Sequence, residues 1–81
     1  MSDPGGWEEV DGALQRVFRF GDFVEALEFV NRVGELAEAE GHHPDIAIHW
    51  NEVTLRYWTH TAGGVTDLDR RLAEKTSLLA R

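Results

Sequence analysis

Four histidines, His42, His43, His49 and His60, are the residues of this chain best suited to chemistry. Imidazole moves protons at neutral pH, because its unperturbed pKa lies near 6.5. His42-His43-Pro44 directly follows a helix-like pattern, and His60 ends a strand-like one just before Gly63-Gly64. Loops and strand ends at the rim of a rigid scaffold are where reactive groups usually sit. Two or three imidazoles around one small pocket would supply an acid and a base. The same residues read equally well as solvated loop histidines.

Other chemistries fit less well. His42, His43 and His60 with Asp69 or Glu38 could offer a metal nitrogen and oxygen donors. Adjacent histidines in an extended segment point to opposite sides, however, and neither an HxxxH pair on one helix face nor an HExxH motif occurs. No metal site is therefore expected. The only serines are Ser2 and Ser77, neither in an elbow-like context, and there is no cysteine. Gly63-Gly64 is too short for a phosphate loop. Covalent acyl transfer and nucleotide binding both lose ground.

The elements that must position the histidines follow from periodicity. Trp7 to Val10 and Leu14 to Phe20 read as a hairpin around an Asp11-Gly12 turn. Leu14, Phe18 and Phe20 share an apolar face that Arg16 interrupts, and Val17 falls on the polar one. A helix is predicted over roughly 22–40, with Asp22 as cap, Glu25 at the capping-box position and Gly41 beyond the end. Its apolar stripe is Phe23, Leu27, Val30, Val33 and Ala37. Ile46 to Trp50 and Val53 to Thr59 are the next strands, joined by a two-residue turn at Asn51-Glu52 in which Asn takes the left-handed position. Thr66 and Asp69 form a capping-box signature for a second helix lined by Leu68, Leu72 and Leu79. Trp7 and Trp50 read as core or pocket wall, and His49 as a sheet-face residue. The order ββαββα predicts an α+β fold, a four-stranded antiparallel sheet with two helices packed on one face. The other face is left to solvent or assembly.

Composition bounds the rest. Eighty-one residues make one domain, 1–81, whose core is marginal on its own. Disulfides cannot reinforce it, which leaves tight packing, a subunit interface or both. Fifteen acidic against eight basic residues give a net charge of −7. That balance argues against nucleic acid and against anionic membrane surfaces. No apolar run is long enough for a membrane span, and Met1 to Gly6 lacks the regions of a signal peptide. A soluble cytoplasmic protein is expected.

The spacing also carries a resemblance. Glu38, three residues, His42-His43-Pro44, five residues, Trp50, nine residues, His60, eight residues and Asp69 reproduce the signature of the pterin-4a-carbinolamine dehydratase family, the dimerisation cofactors of hepatocyte nuclear factor. Gly6-Trp7, Glu9-Val10, Phe18 to Phe20, Asp22-Phe23, Thr59-His60 and Leu68-Asp69 agree as well, so the resemblance runs from Gly6 to Ala80. The family's N-terminal helical segment has no room in the six residues before Trp7. Two positions depart from many members: Gly41 stands where an acidic or amide residue precedes the His pair, and Trp58 where some have a small residue.

The resemblance implies dehydration of a 4a-hydroxytetrahydropterin to the quinonoid dihydropterin, as in tetrahydrobiopterin recycling, with no cofactor. It implies His42, His43 and His60 as the catalytic trio. His42 and His60 would be the acid–base pair and His43 a substrate contact. Asp69 would orient His60 or another imidazole, besides capping its helix. Glu38, Gly41, Pro44, Trp58, Thr59 and Thr61 would bind the pterin. The alternative is a non-catalytic protein-binding module or transcriptional coactivator on the same fold. A role with another pterin, such as the molybdenum cofactor, is a third possibility. The family's assembly, strands paired across a dimer and dimers packed through helices, implies a homo-oligomer, with a tetramer favoured over a dimer.

Overall fold

The computed structural model describes residues 5–80; the first four residues and Arg81, where Ser2 and most of the signal-peptide reading fall, lie outside them. The strands are β1 (Glu8–Val10), β2 (Ala13–Arg19), β3 (Asp45–His49) and β4 (Glu52–Tyr57), and the helices are α1 (Phe23–Glu40) and α2 (Asp67–Leu79). All pairings are antiparallel, in the order β1-β2-β4-β3. The expected ββαββα α+β architecture is thus the one observed. Among the described residues no helix is long and apolar enough to cross a membrane.

Local sequence explains most of the framework. Asp11 and Gly12 both have positive φ, 48° and 81°, as a tight hairpin turn requires. β2 and β4 pair along most of their length, with Leu14 opposite Tyr57, Arg16 opposite Leu55 and Phe18 opposite Val53. These side chains share the helix-facing side of the sheet. There Trp7, Leu14, Phe18, Val53, Leu55 and Tyr57 pack against Ala26, Phe29 and Val33 of α1 and Leu72 and Ala73 of α2. Each large side chain withdrawn from water in this way contributes about 1.5–3 kcal/mol. The interruption at Arg16 also has a reason. Its guanidinium lies 4.4 Å from the centre of the Phe18 ring and donates to Ser77 Oγ at 3.0 Å. The stem thereby covers the core while the charged head reaches the rim.

Four expectations need correction. The buried stripe of α1 is Ala26, Phe29, Val33 and Ala37, whereas Phe23 and Leu27 are exposed. Apolar residues cover so much of this helix's circumference that spacing alone does not say which arc meets the sheet. The arc containing two alanines does, because small residues allow close approach. The α1 capping box is half-formed: Asp22 accepts from the Glu25 N–H at 2.8 Å, but the Glu25 carboxylate lies against Gly21. The β3–β4 turn is Trp50-Asn51 rather than Asn51-Glu52, and Trp50 takes the left-handed conformation, with φ of 54°. Asn51 instead braces the turn: its amide donates to Phe20 O, and its carbonyl accepts from Phe20 N–H, both at 2.9 Å. Trp50 is consequently 67% exposed and belongs neither to the core nor to a pocket wall, whereas Trp7 is buried as expected.

β3 is a sheet edge, and all five of its residues are exposed. Ile46 and Ile48 lie opposite Leu55 and Val53, so they are on the helix-facing side but beyond the helices' cover. His49 is on the opposite face, exposed, near Glu52.

Candidate active site

Two chain segments meet at one end of the sheet. The first is the exit from α1. Gly41 adopts the left-handed conformation, with φ of 64°, and His42 N–H donates back to Ala37 O at 3.2 Å. This closure ends the helix and presents His42 and His43 before Pro44 leads into β3. The second segment follows β4. Thr59 N–H donates to Gly64 O at 2.9 Å, and Gly63 N–H donates to Thr59 O at 3.0 Å. One 3₁₀ turn, His60–Ala62, is folded inside that loop and closed by Gly63 with φ of 71°. Between the segments lies a cleft of about 370 Å³ lined by Gly41, His42, His43, Trp58, Thr59, His60 and Thr61.

Each of the three cleft imidazoles is held differently. His42 Nε2 lies 2.6 Å from Asp69 Oδ1, and its ring is stacked near Tyr57, with centroids 6.2 Å apart. His43 Nε2 makes a short contact with Glu38 Oε2 at the exposed rim. The His60 ring lies 3.9 Å from the Trp58 ring and tilts 32° to it. No hydrogen bond to the His60 ring occurs among the described residues.

Asp69 organises this end of the molecule. It is fully buried, yet every requirement of its carboxylate is met. Oδ2 accepts from Thr66 N–H at 2.8 Å, from the Thr59 hydroxyl at 2.7 Å and from the Thr66 hydroxyl at 3.1 Å. Burial pushes the carboxyl pKa up. The bonds from His42, the Thr66 backbone, Thr59 and Thr66 outweigh it and hold the group below its ordinary value. Asp69 is therefore an acceptor only, so His42 Nε2 carries the proton of their bond. In the neutral ring Nδ1 is then the lone-pair nitrogen. The helix cap and the imidazole orientation anticipated for Asp69 are both present in one carboxylate, and the oriented imidazole is that of His42, not His60.

The expected pterin contacts divide by position. Gly41, Trp58, Thr59 and Thr61 line the cleft with the three histidines. Glu38 is outside the lining and reaches it through His43. Pro44 is outside it too, at the base of β3. The Thr59 hydroxyl is turned to Asp69 and Thr66, which makes it a brace for the loop. Tyr57, Thr66 and Asp45 were not singled out as site residues, though each backs one. Tyr57 packs behind His42 and is anchored by its hydroxyl 2.8 Å from Thr76 Oγ1. Thr66 showed itself only as a cap, and Asp45 accepts from the Trp58 indole N–H at 3.4 Å. Among the described residues no three His, Cys, Asp or Glu side chains form a metal-ligand set.

Comparison with known proteins points to one family. The family model described as "Pterin 4 alpha carbinolamine dehydratase" matches residues 1–79. The chain is 60% identical over 67 residues to a protein of Gloeobacter violaceus provisionally named pterin-4-alpha-carbinolamine dehydratase 2, covering 80% of this chain and 73% of that one. A crystal structure of a "transcriptional coactivator/pterin dehydratase" from Brucella melitensis superposes with a TM-score of 0.89 at 37% identity, over 95% of this chain and 84% of that one. A pterin dehydratase-like protein described as a RuBisCO assembly factor of the alpha-carboxysome shares the fold, with a TM-score of 0.76 at 23% identity, over 91% of this chain and 86% of that one.

Proposed function

The chain belongs to the pterin-4-alpha-carbinolamine dehydratase family, and from that premise we propose that it is a hydro-lyase acting on 4a-hydroxytetrahydropterins in the cytoplasm. The observation that carries the proposal is the convergence of His42, His43 and His60 on one cleft, with His42 fixed by a buried carboxylate. The reaction breaks the C4a–O bond and removes the N5 proton. The N5–H electron pair becomes the N5=C4a bond, and the hydroxide leaves as water. Nothing is oxidised or reduced, so an acid and a base suffice. His42 takes the N5 proton on Nδ1, because Asp69 holds its other nitrogen protonated. His60, whose ring nitrogens have no competing partner among the described residues, delivers a proton to the departing oxygen. His43, with Glu38 behind it, binds the substrate at the rim, where Gly41, Trp58 and Thr61 complete the wall.

Purified protein is expected to accelerate loss of water from a 4a-hydroxytetrahydropterin, followed by the absorbance of the quinonoid product. The rate should survive a chelator. Loss of the rate on chelation and its return with zinc would overturn the proton-transfer reading. The Brucella relative's description joins a coactivator role to dehydration. Three imidazoles gathered at one cleft favour dehydration for this chain, because a surface used only for docking has no use for that arrangement.

The 81 residues function as one domain within a homo-oligomer, with a tetramer favoured over a dimer. In support, β3 offers an unpaired strand edge flanked by exposed Ile46, Ile48 and Trp50, and α1 exposes Phe23, Val24 and Leu27. Such edges and apolar patches are normally covered. Light scattering at micromolar concentration should give a multiple of the chain mass, and the melting temperature should rise with concentration. A monomeric mass with a concentration-independent melting temperature would refute this.

A further inference from the structure

Two of the cleft imidazoles are anchored by carboxylates, and the third is anchored by an aromatic ring. His42 bonds to Asp69 and His43 to Glu38. His60 begins a single 3₁₀ turn and is exposed, and a lone imidazole in that setting would rotate freely about two side-chain torsions. The contact that restrains it is with Trp58, ring to ring at 3.9 Å and 32°. Trp58 is itself restrained. It is half-buried just past β4, and its indole N–H reaches Asp45 Oδ2 at 3.4 Å on the neighbouring edge strand. A close, tilted ring-to-ring contact orients an imidazole without occupying either of its nitrogens, which a carboxylate partner cannot do.

We infer that Trp58 is the positioning residue for His60: its indole sets the plane of the imidazole so that both ring nitrogens remain available to the substrate in the cleft. Thr59, between them in sequence, is locked to Asp69 and Gly64, so the two rings project from a fixed backbone. The indole thereby does for His60 what Asp69 does for His42. It also explains why a bulky ring is useful at a place where a small residue would leave more room. This inference rests on the dehydratase reading for its kinetic consequence, but the ring stack itself is testable without any activity.

The experiment compares wild type with W58F, which keeps an aromatic ring, and W58L, which keeps apolar bulk without one. In proton–carbon NMR spectra, with H60A used for assignment, the His60 ring protons should be displaced upfield in wild type and in W58F. They should return to the position of an unstacked histidine in W58L. In steady-state kinetics W58L should lower kcat by about 10- to 100-fold, a larger effect than its effect on KM, while the aromatic W58F should restore most of the lost kcat. A W58L variant with raised KM and unchanged kcat would make Trp58 a mere wall and overturn the inference. So would His60 signals without an upfield displacement in the wild type. A folded wild type inert toward the carbinolamine would instead overturn the dehydratase reading, and the NMR displacement would still decide whether Trp58 holds His60.

Discussion

Replacing His42 or His60 by alanine should each lower the catalysed dehydration rate by about 10²–10⁴, the usual share of a general acid or base. The two losses have different origins. At His42 the variant removes the imidazole whose Nε2 is tied to Asp69, and with it the acceptor for the N5 proton. At His60 it removes a ring held by contact with Trp58, and with it the donor to the leaving oxygen. Because both act in one transition state, the double variant should fall little below the worse single one, the non-additivity expected of groups that work as a unit. Pterin binding, followed by fluorescence or calorimetry, should persist in both. Near-wild-type rates combined with normal binding would show that the roles are wrongly assigned.

The second large effect is on stability. Asp69→Ala should cost about 3 kcal/mol or more, because it takes the acceptor from the Thr66 backbone N–H, the Thr59 and Thr66 hydroxyls and the His42 imidazole N–H at once. Chemical denaturation measures this directly. The pH dependence separates the charge from the shape. The Asp69 carboxyl lies below its ordinary value of 3.8 in the folded chain, despite burial, through the bonds from His42, Thr66 and Thr59. A carboxyl depressed on folding stabilises fully above the unfolded-state value, and that stability is lost as pH falls through the folded one. The advantage of wild type over Asp69→Asn should therefore hold from neutral pH down to about 4 and shrink below it. An advantage that stays constant to pH 2 would mean that the charge of Asp69 contributes nothing. Asp69→Asn should also reduce turnover, since an amide that donates to His42 Nε2 selects the opposite tautomer, the one in which Nδ1 carries the proton.

Much of this site was legible because its signals are local. Gly41 after a long helical pattern marks where the chain leaves α1, and that alone places His42-His43 at a rim. Alternation in β4 and the glycine pair after it place His60 at the opposite rim. Thr66 and Asp69 at capping-box spacing mark the start of α2. The two hairpins, β1–β2 and β3–β4, followed from connectivity that pairs chain neighbours, whereas the β2–β4 pairing that joins them into one sheet did not.

What the sequence determined by itself is therefore the element types, their order, the turn at Asp11-Gly12 and the set of imidazoles that could converge. Each of these rests on chemistry within a few residues, such as a cap, a left-handed glycine or an alternation. Only the tertiary structure decided which arc of α1 is buried, which imidazole meets which anchor, and where Trp50 points. Phe23 and Leu27 fit a helical stripe as well as Ala26 and Phe29 do, and the difference appears only when a sheet approaches and small residues permit contact. Asp69 could reach either rim on spacing alone. Packing of α2 under the sheet brings it 2.6 Å from His42, and Trp58, projecting beyond β4, is left to hold His60. Trp50 is exposed because two residues must close the β3–β4 turn and Asn51 is engaged with Phe20, a partner 31 positions away in the chain. Pairings over such distances are fixed by where elements dock, and no local pattern encodes them.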